Sequence, residues 1–201
     1  MDDQAGREAV DVALTLLAEQ GFDATSVAQI AAATGIPANE VERAIGTKDE
    51  IVLTIAEEML GSVVKALSEV DAQTPLVEAL MTAHSSLLAD IINDTGPVSL
   101  DRMRRMGKAI TSSPALQKKV GAQRVEILTS VLADRFETSA SDTRVQQGLK
   151  LWSAVLAATY LDVLDKHGRF DPGVDEESTD YMRNRLNRAF RIVTGRSIPA
   201  T

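Results

Sequence analysis

The chain has 201 residues, 44% hydrophobic and 25% charged, with only 3% aromatic residues and a net charge of −8 at pH 7. That is the make-up of one medium domain, or of a small domain joined to a larger one, with a core built from Leu, Ile, Val, Ala and Met. Cysteine is absent, which excludes disulfides, thiolate metal sites and cysteine nucleophiles.

The charge is unevenly spread. Residues 1–60 hold twelve acids and only three bases, Arg7, Arg43 and Lys48, while the rest of the chain is close to neutral. Nucleic-acid affinity rests largely on cations that displace phosphate counterions, so the acidic N-terminal stretch starts at a disadvantage for it. The first residues, MDDQAGREAV, are too acidic for a secretory or transit signal. The longest apolar run, 149–164, is broken by Lys150, Ser153, Thr159 and Asp162, which is wrong for a membrane span. A cytoplasmic protein with no membrane partner is expected.

In chain order the pattern is helical throughout, with no strand-length alternation of apolar and polar residues. Val10, Leu14, Leu17 and Ala18 form a stripe that stops at Gly21. Ser26 and Gln29 have the spacing of a capping box and open a short helix, VAQIAAA, which Thr34-Gly35 ends. A third short helix is expected over about 38–45, with Val41 and Ile45 inward and Gly46 as its stop. Thr47 and Glu50 form a second capping box at the head of a long helix through Ile51, Ile55 and Met59, with Gly61 inside it.

Thr74-Pro75 opens the next helix, with Leu76, Leu80, His84, Leu87, Leu88 and Ile91 on one face. A helix near 98–111 points Leu100, Met103 and Met106 inward and carries Arg102, Arg104, Arg105 and Lys108. Ser112-Ser113-Pro114 starts a long helix that ends near Phe136. After a polar loop, a very apolar helix runs to about Lys166, then a loop over 168–177, then a last helix over about 178–194. The expected fold class is all-α, with about nine helices. An N-terminal helix-turn-helix domain, residues 1–50, is continuous with a helical domain, residues 51–201.

Two short helices joined by Thr-Gly-Ile-Pro spell a helix-turn-helix. The words ALTLLAEQGFDATSVAQIAAATGI, a short helix, and the lysine of GTKDEI go further. In these, residues 7–60 resemble the N-terminal domain of the tetracycline-repressor (TetR) family of one-component regulators. The remainder is similar only in outline.

The resemblance implies that the third helix lies in the major groove of DNA. Ser26 and Val27 would approach phosphate, Lys48 would hold phosphate, and Pro37, Ala38, Asn39, Glu40 and Arg43 would face base edges. Arg43 suits guanine, Asn39 suits adenine, and Glu40 accepts only from cytosine. Six residues depart from the family pattern. Glu42 stands where a phosphate-binding tyrosine is usual, and Ala44-Ile45 where an aromatic pair is usual. Pro37 replaces a capping serine, and Asp2 and Asp3 replace a basic arm. Glu40 and Glu42 are either a solvated helix face or a loss of DNA affinity.

The same resemblance places an effector pocket and a dimer interface among the later helices. Candidate pocket residues are Met81, His84, Leu88, Met103, Met106, Trp152 and Tyr160, for a small, mainly apolar effector; the plainer reading of each is core. Candidate interface residues are Leu151, Val155, Ala158, Leu161, Leu186, Phe190 and Val193, forming a four-helix bundle across a twofold axis. The basic cluster Arg102, Arg104, Arg105 and Lys108 is solvated charge, a counterweight to the acidic N-terminal domain, or a receiver for an anionic effector group; the second is the preferred hypothesis.

No catalytic, cofactor or metal site is expected. His84 and His167 lie apart with no carboxylate pattern, and no HExxH, GxSxG or P-loop spacing occurs. The sequence thus reads as a ligand-responsive transcriptional regulator, a repressor, that binds near-palindromic operator DNA as a homodimer. The alternative is a TetR-shaped ligand-binding or protein-interaction module with little DNA affinity.

Overall fold

The computed structural model describes residues 3–161 and 179–199; the loop expected over 168–177 and His167 lie outside them. The fold is all-helical, with nine helices among the described residues. They are α1 (Asp3–Gln20), α2 (Val27–Thr34), α3 (Val41–Ile45), α4 (Lys48–Glu69), α5 (Leu76–Ile92), α6 (Leu100–Thr111), α7 (Pro114–Arg135), α8 (Thr143–Leu161) and α9 (Thr179–Thr194). None is long and apolar enough to cross a membrane.

The chain divides into two compact units. Unit 1 comprises residues 1–58 and 98–123, and unit 2 comprises residues 59–97 and 124–201. Helices α4 and α7 each contribute residues to both.

Unit 1 is the helix-turn-helix with α6 against α1. Its core holds Ala13, Leu14 and Leu17 of α1, Ile30 of α2, Val41 of α3, Ile51, Val52 and Ile55 of α4, and Ala109 of α6. The sets on α1 and α4 recur at helical spacing, so each of these helices turns one apolar face inward, while α2 and α3 each bury a single anchor. One member of the basic cluster of α6, Arg102, meets acids of the N-terminal segment, while Arg105 pairs with Asp101 of its own helix. Arg102 Nε donates to Asp11 Oδ1 at 2.9 Å, and its Nη1 lies 3.4 Å from Glu58 Oε2. Arg105 Nη1 donates to the Thr15 hydroxyl at 2.6 Å. At the far end of α6, Ser112 Oγ accepts from the Phe22 amide at 2.8 Å, and Ser113 Oγ donates to Asp23 at 3.0 Å. These bonds satisfy backbone and side-chain groups of the α1–α2 loop that no local partner reaches. The counterweight hypothesis for this cluster describes Arg102.

Unit 2 packs α5, α8 and α9 together. Helix α8 passes so close to the start of α5 that a Cβ on Gly148 would lie 2.3 Å from Leu76 Cδ2 and 3.1 Å from Leu76 Cγ. Arg185 of α9 is buried and donates through Nε to the Thr159 carbonyl of α8 at 3.0 Å. Arg135, at the end of α7, donates to the carbonyls of Leu67, Val70 and Asp71, where the end of α4 leaves carbonyls without an intrahelical donor. Asp142, before α8, accepts from the Arg144 side chain, the Thr138 hydroxyl and the Arg144 amide; these bonds hold its carboxyl well below the usual range.

Two helix starts differ from the sequence reading. α3 begins at Val41, because the Glu40 amide donates to the Pro37 carbonyl at 2.7 Å and closes a turn over the residues expected to be helical. Pro75 is the N-cap residue of α5 and not its first helical position.

Candidate nucleic-acid interface and buried polar pair

The helix-turn-helix is built from local hydrogen bonds that the sequence specifies. Gly21 ends α1 at φ +88°, a conformation that suits glycine. Thr25 is buried beyond it, its amide and hydroxyl both bonded to the Gly21 carbonyl, at 3.1 and 2.8 Å. Ser26 then caps α2: its Oγ accepts from the Gln29 amide at 3.2 Å, and Gln29 Oε1 accepts from the Ser26 amide at 2.8 Å. Gly35, at φ +71°, closes α2 with a bond from its amide to the Ala31 carbonyl. The chain turns through Ile36 and Pro37 into α3. Thr47 and Glu50 form the second capping box, with Thr47 N to Glu50 Oε2 at 2.8 Å, and these bonds lower the Glu50 pKa.

This frame leaves one polar edge facing solvent. Ser26, Pro37, Ala38, Asn39, Glu42 and Arg43 are exposed, and Val27 and Glu40 are half-buried. Pro37, Ala38 and Asn39 sit in the turn before α3, while Arg43 is on α3 itself. The Arg43 side chain is 79% exposed and its Nη2 lies 3.1 Å from Glu40 Oε2. Ion pairs this open contribute little, so the guanidinium is free to exchange its partner.

Lys48 sits differently. Its Nζ donates to the carbonyls of Phe22 and Thr25 at 2.8 and 2.7 Å, and lies 4.7 Å from the centre of the Phe22 ring. It ties the loop before α2 to the head of α4, with one of its three protons left for another acceptor.

Residues 9–55 match the family of bacterial regulatory proteins, tetR family. Over that stretch the helix-turn-helix is similar to the tetR family. Such a helix-turn-helix is the fold of a DNA-binding regulator. Among solved structures, a TetR-family regulator from Streptomyces coelicolor is 22% identical, with a TM-score of 0.54 over 96% of this chain and 97% of that one. The TetR family transcriptional regulator PfmR from Thermus thermophilus is 16% identical, with a TM-score of 0.45 over 96% and 97%. The first of these likenesses extends the TetR-like fold over nearly the whole chain. No curated protein sequence matches the chain closely enough to count as a relative.

In unit 2 of this TetR-like chain, α5 and α8 bring His84 and Trp152 together, with ring centroids 4.6 Å apart and planes tilted by 53°. His84 Nδ1 is 2.8 Å from the Leu80 carbonyl. A carbonyl only accepts, so Nδ1 carries the proton. Burial pushes the His84 pKa down to about 4, against that hydrogen bond, with the charge of Arg124 adding to the drop. The ring is therefore neutral near pH 7. Trp152 is 1% exposed, and its indole N–H has no hydrogen-bond partner among the described residues.

Of the other pocket candidates, Met81 and Leu88 are buried on α5 in unit 2. Met103 and Met106 are buried on α6, which belongs to unit 1. The Tyr160 and Leu161 side chains lie outside the described residues. Of the interface candidates, Val155, Leu186 and Phe190 are buried within the protomer at 0%, 3% and 0% exposure. Leu151, Ala158 and Val193 are half-buried. Ala154 and Ala157 of α8 and Ile192 of α9, which sequence reading passed over, are exposed, Ile192 by 68%. Periodicity finds an apolar face, but a small outward alanine gives no signal of its own.

Proposed function

We propose that the protein is a ligand-responsive transcriptional repressor that binds a near-palindromic operator as a homodimer. Residues 1–50 read DNA, and residues 51–201 bind a small, mainly apolar effector and dimerise. The observation that carries the reading is the open edge of the helix-turn-helix, with Arg43 79% exposed on α3. In this pose Arg43 leaves Glu40 for a guanine edge, and the amides at the head of α2 approach phosphate. Exposed Ala157 and Ile192, with half-buried Leu151 and Ala158 on α8, support pairing of α8 and α9 with a second copy. Effector and DNA then bind reciprocally: an effector that favours a half-site spacing unlike the operator's lowers affinity for DNA, and operator lowers affinity for effector by the same factor. The protein acts in the cytoplasm, carries out no reaction and needs no cofactor or metal.

The test is fluorescence polarisation against duplexes from the DNA upstream of its own coding sequence, at low and moderate salt. Specific binding with a shallow salt slope is expected, because few cations face the groove. Arg43→Ala should weaken binding by about 1–3 kcal/mol and relax the preference at one base position. Glu42→Tyr should tighten it by removing a carboxylate from the phosphate side.

Glu40, Glu42 and the engagement of Lys48 with two carbonyls favour a second reading, a TetR-shaped module that binds ligand or protein and has little affinity for DNA. Absence of binding even at low salt selects it.

A further inference from the structure

His84 and Trp152 form a polar pair in an otherwise apolar stretch of unit 2. Leu80, Met81 and Leu88 surround His84 along α5, and Leu149 and Leu156 flank Trp152 along α8; all five are buried. A buried indole N–H without a partner is costly, because it has given up its bond to water and gained none in return. The histidine spends its only proton on Leu80, so Nε2 has a lone pair, and no hydrogen bond in the described residues uses it. The pair therefore offers one donor and one acceptor on two neighbouring rings, each on a side chain more than nine-tenths buried.

We propose that Trp152 Nε1 and His84 Nε2 receive the single polar group of an apolar, uncharged effector, a hydroxyl or an amide that accepts from the indole and donates to the imidazole. This rests on the reading of residues 51–201 as the effector-binding domain. The chemistry excludes other classes of head group. An ammonium group has protons for Nε2 but no lone pair for the indole. A carboxylate accepts from the indole but leaves Nε2 without a donor. An ether or ketone satisfies Trp152 alone. A hydrocarbon satisfies neither, and leaves the buried N–H as costly as before.

Trp152 is the only tryptophan in the chain, so the whole protein labelled with 15N in its indole gives one side-chain signal from this site. Cyclohexanol and methylcyclohexane differ by a hydroxyl in place of a methyl group and serve as the probes. In full-length protein without DNA, cyclohexanol should move the indole N–H resonance downfield as a hydrogen bond forms. Methylcyclohexane should not move it downfield. In His84→Leu the cyclohexanol response should weaken at least tenfold. Should that variant not fold, Trp152→Phe should abolish the rise in melting temperature that cyclohexanol gives the parent protein.

An indole resonance that neither probe moves, or that both move alike, overturns the proposal: the pair is then core. A response to cyclohexanol that survives His84→Leu, or a rise in melting temperature that survives Trp152→Phe, overturns it as well. The outcome is separable from the DNA reading. A specific cyclohexanol response in a protein that binds no operator keeps this site and sinks the repressor; operator binding with a silent indole does the reverse.

Discussion

His84 gives the protein a pH dependence whose sign follows from burial. Its folded pKa, about 4, lies below the ordinary 6.5. The unfolded chain therefore takes up the proton first as pH falls. The contribution is fully present above pH 6.5 and is lost progressively down to pH 4, by roughly 3 kcal/mol at most. Urea denaturation at pH 7.0 and 5.0 measures it, and His84→Leu should flatten the difference between the two. A parent protein equally stable at both values would show that the ring is not desolvated. At lower pH the carboxylates of Asp142 and Glu50, whose pKa values hydrogen bonds depress, begin to lose their own contributions. His84 was legible in sequence as the one polar residue on an apolar face of α5. Its pairing with Trp152 was not, because the two lie on different helices and no local pattern joins them.

At the scale of the element, two substitutions separate capping from crossing. Ser26→Ala removes the side-chain acceptor at the head of α2 and should lower stability by about 1 kcal/mol, read as a shift of the urea midpoint at constant slope. Gly148→Ala should lower it by about 1–3 kcal/mol, because the added methyl meets Leu76 at both Cδ atoms and Cγ, and the whole side chain must shift. If Leu76→Ala in the same chain does not restore part of the loss, the crossing is looser than described. The caps were readable because Ser26–Gln29 and Thr47–Glu50 bond within four residues. The start of α3 was misread for the opposite reason. Proline suits both a first helical position and a tight turn, and the bond from Glu40 to Pro37 decides between them. The faces of α8 and α9 were found by periodicity, yet periodicity does not say which apolar side is covered within the protomer. Val155 and Phe190 are covered; Ala157 and Ile192 are not. Ala157→Glu should therefore leave the fold intact and convert dimer to monomer, measured by sedimentation, if α8 and α9 pair between copies.

For the molecule as a whole, the uneven charge along the chain has a partial answer inside unit 1. Arg102, with Asp11 and Glu58, brings basic charge from residue 102 to the acidic N-terminal segment. Arg102→Leu should lower stability by about 1 kcal/mol at low ionic strength, and the difference should shrink in about 1 M salt. Invariance with salt would mean that the arginine acts through its aliphatic stem. No reading of composition finds this contact, since its partners are 91 and 44 residues away.

Because residues 98–123 belong to the same compact unit as residues 1–58, the unit that holds the helix-turn-helix is discontinuous in sequence. A fragment cut at residue 58 would strip Asp11, Thr15, the Phe22 amide and Asp23 of the partners that α6 and Ser113 supply. Anyone wishing to transplant this head onto a foreign sensor must therefore carry two pieces of polypeptide. A splice at one junction would deliver α3 on an unbuttressed stem.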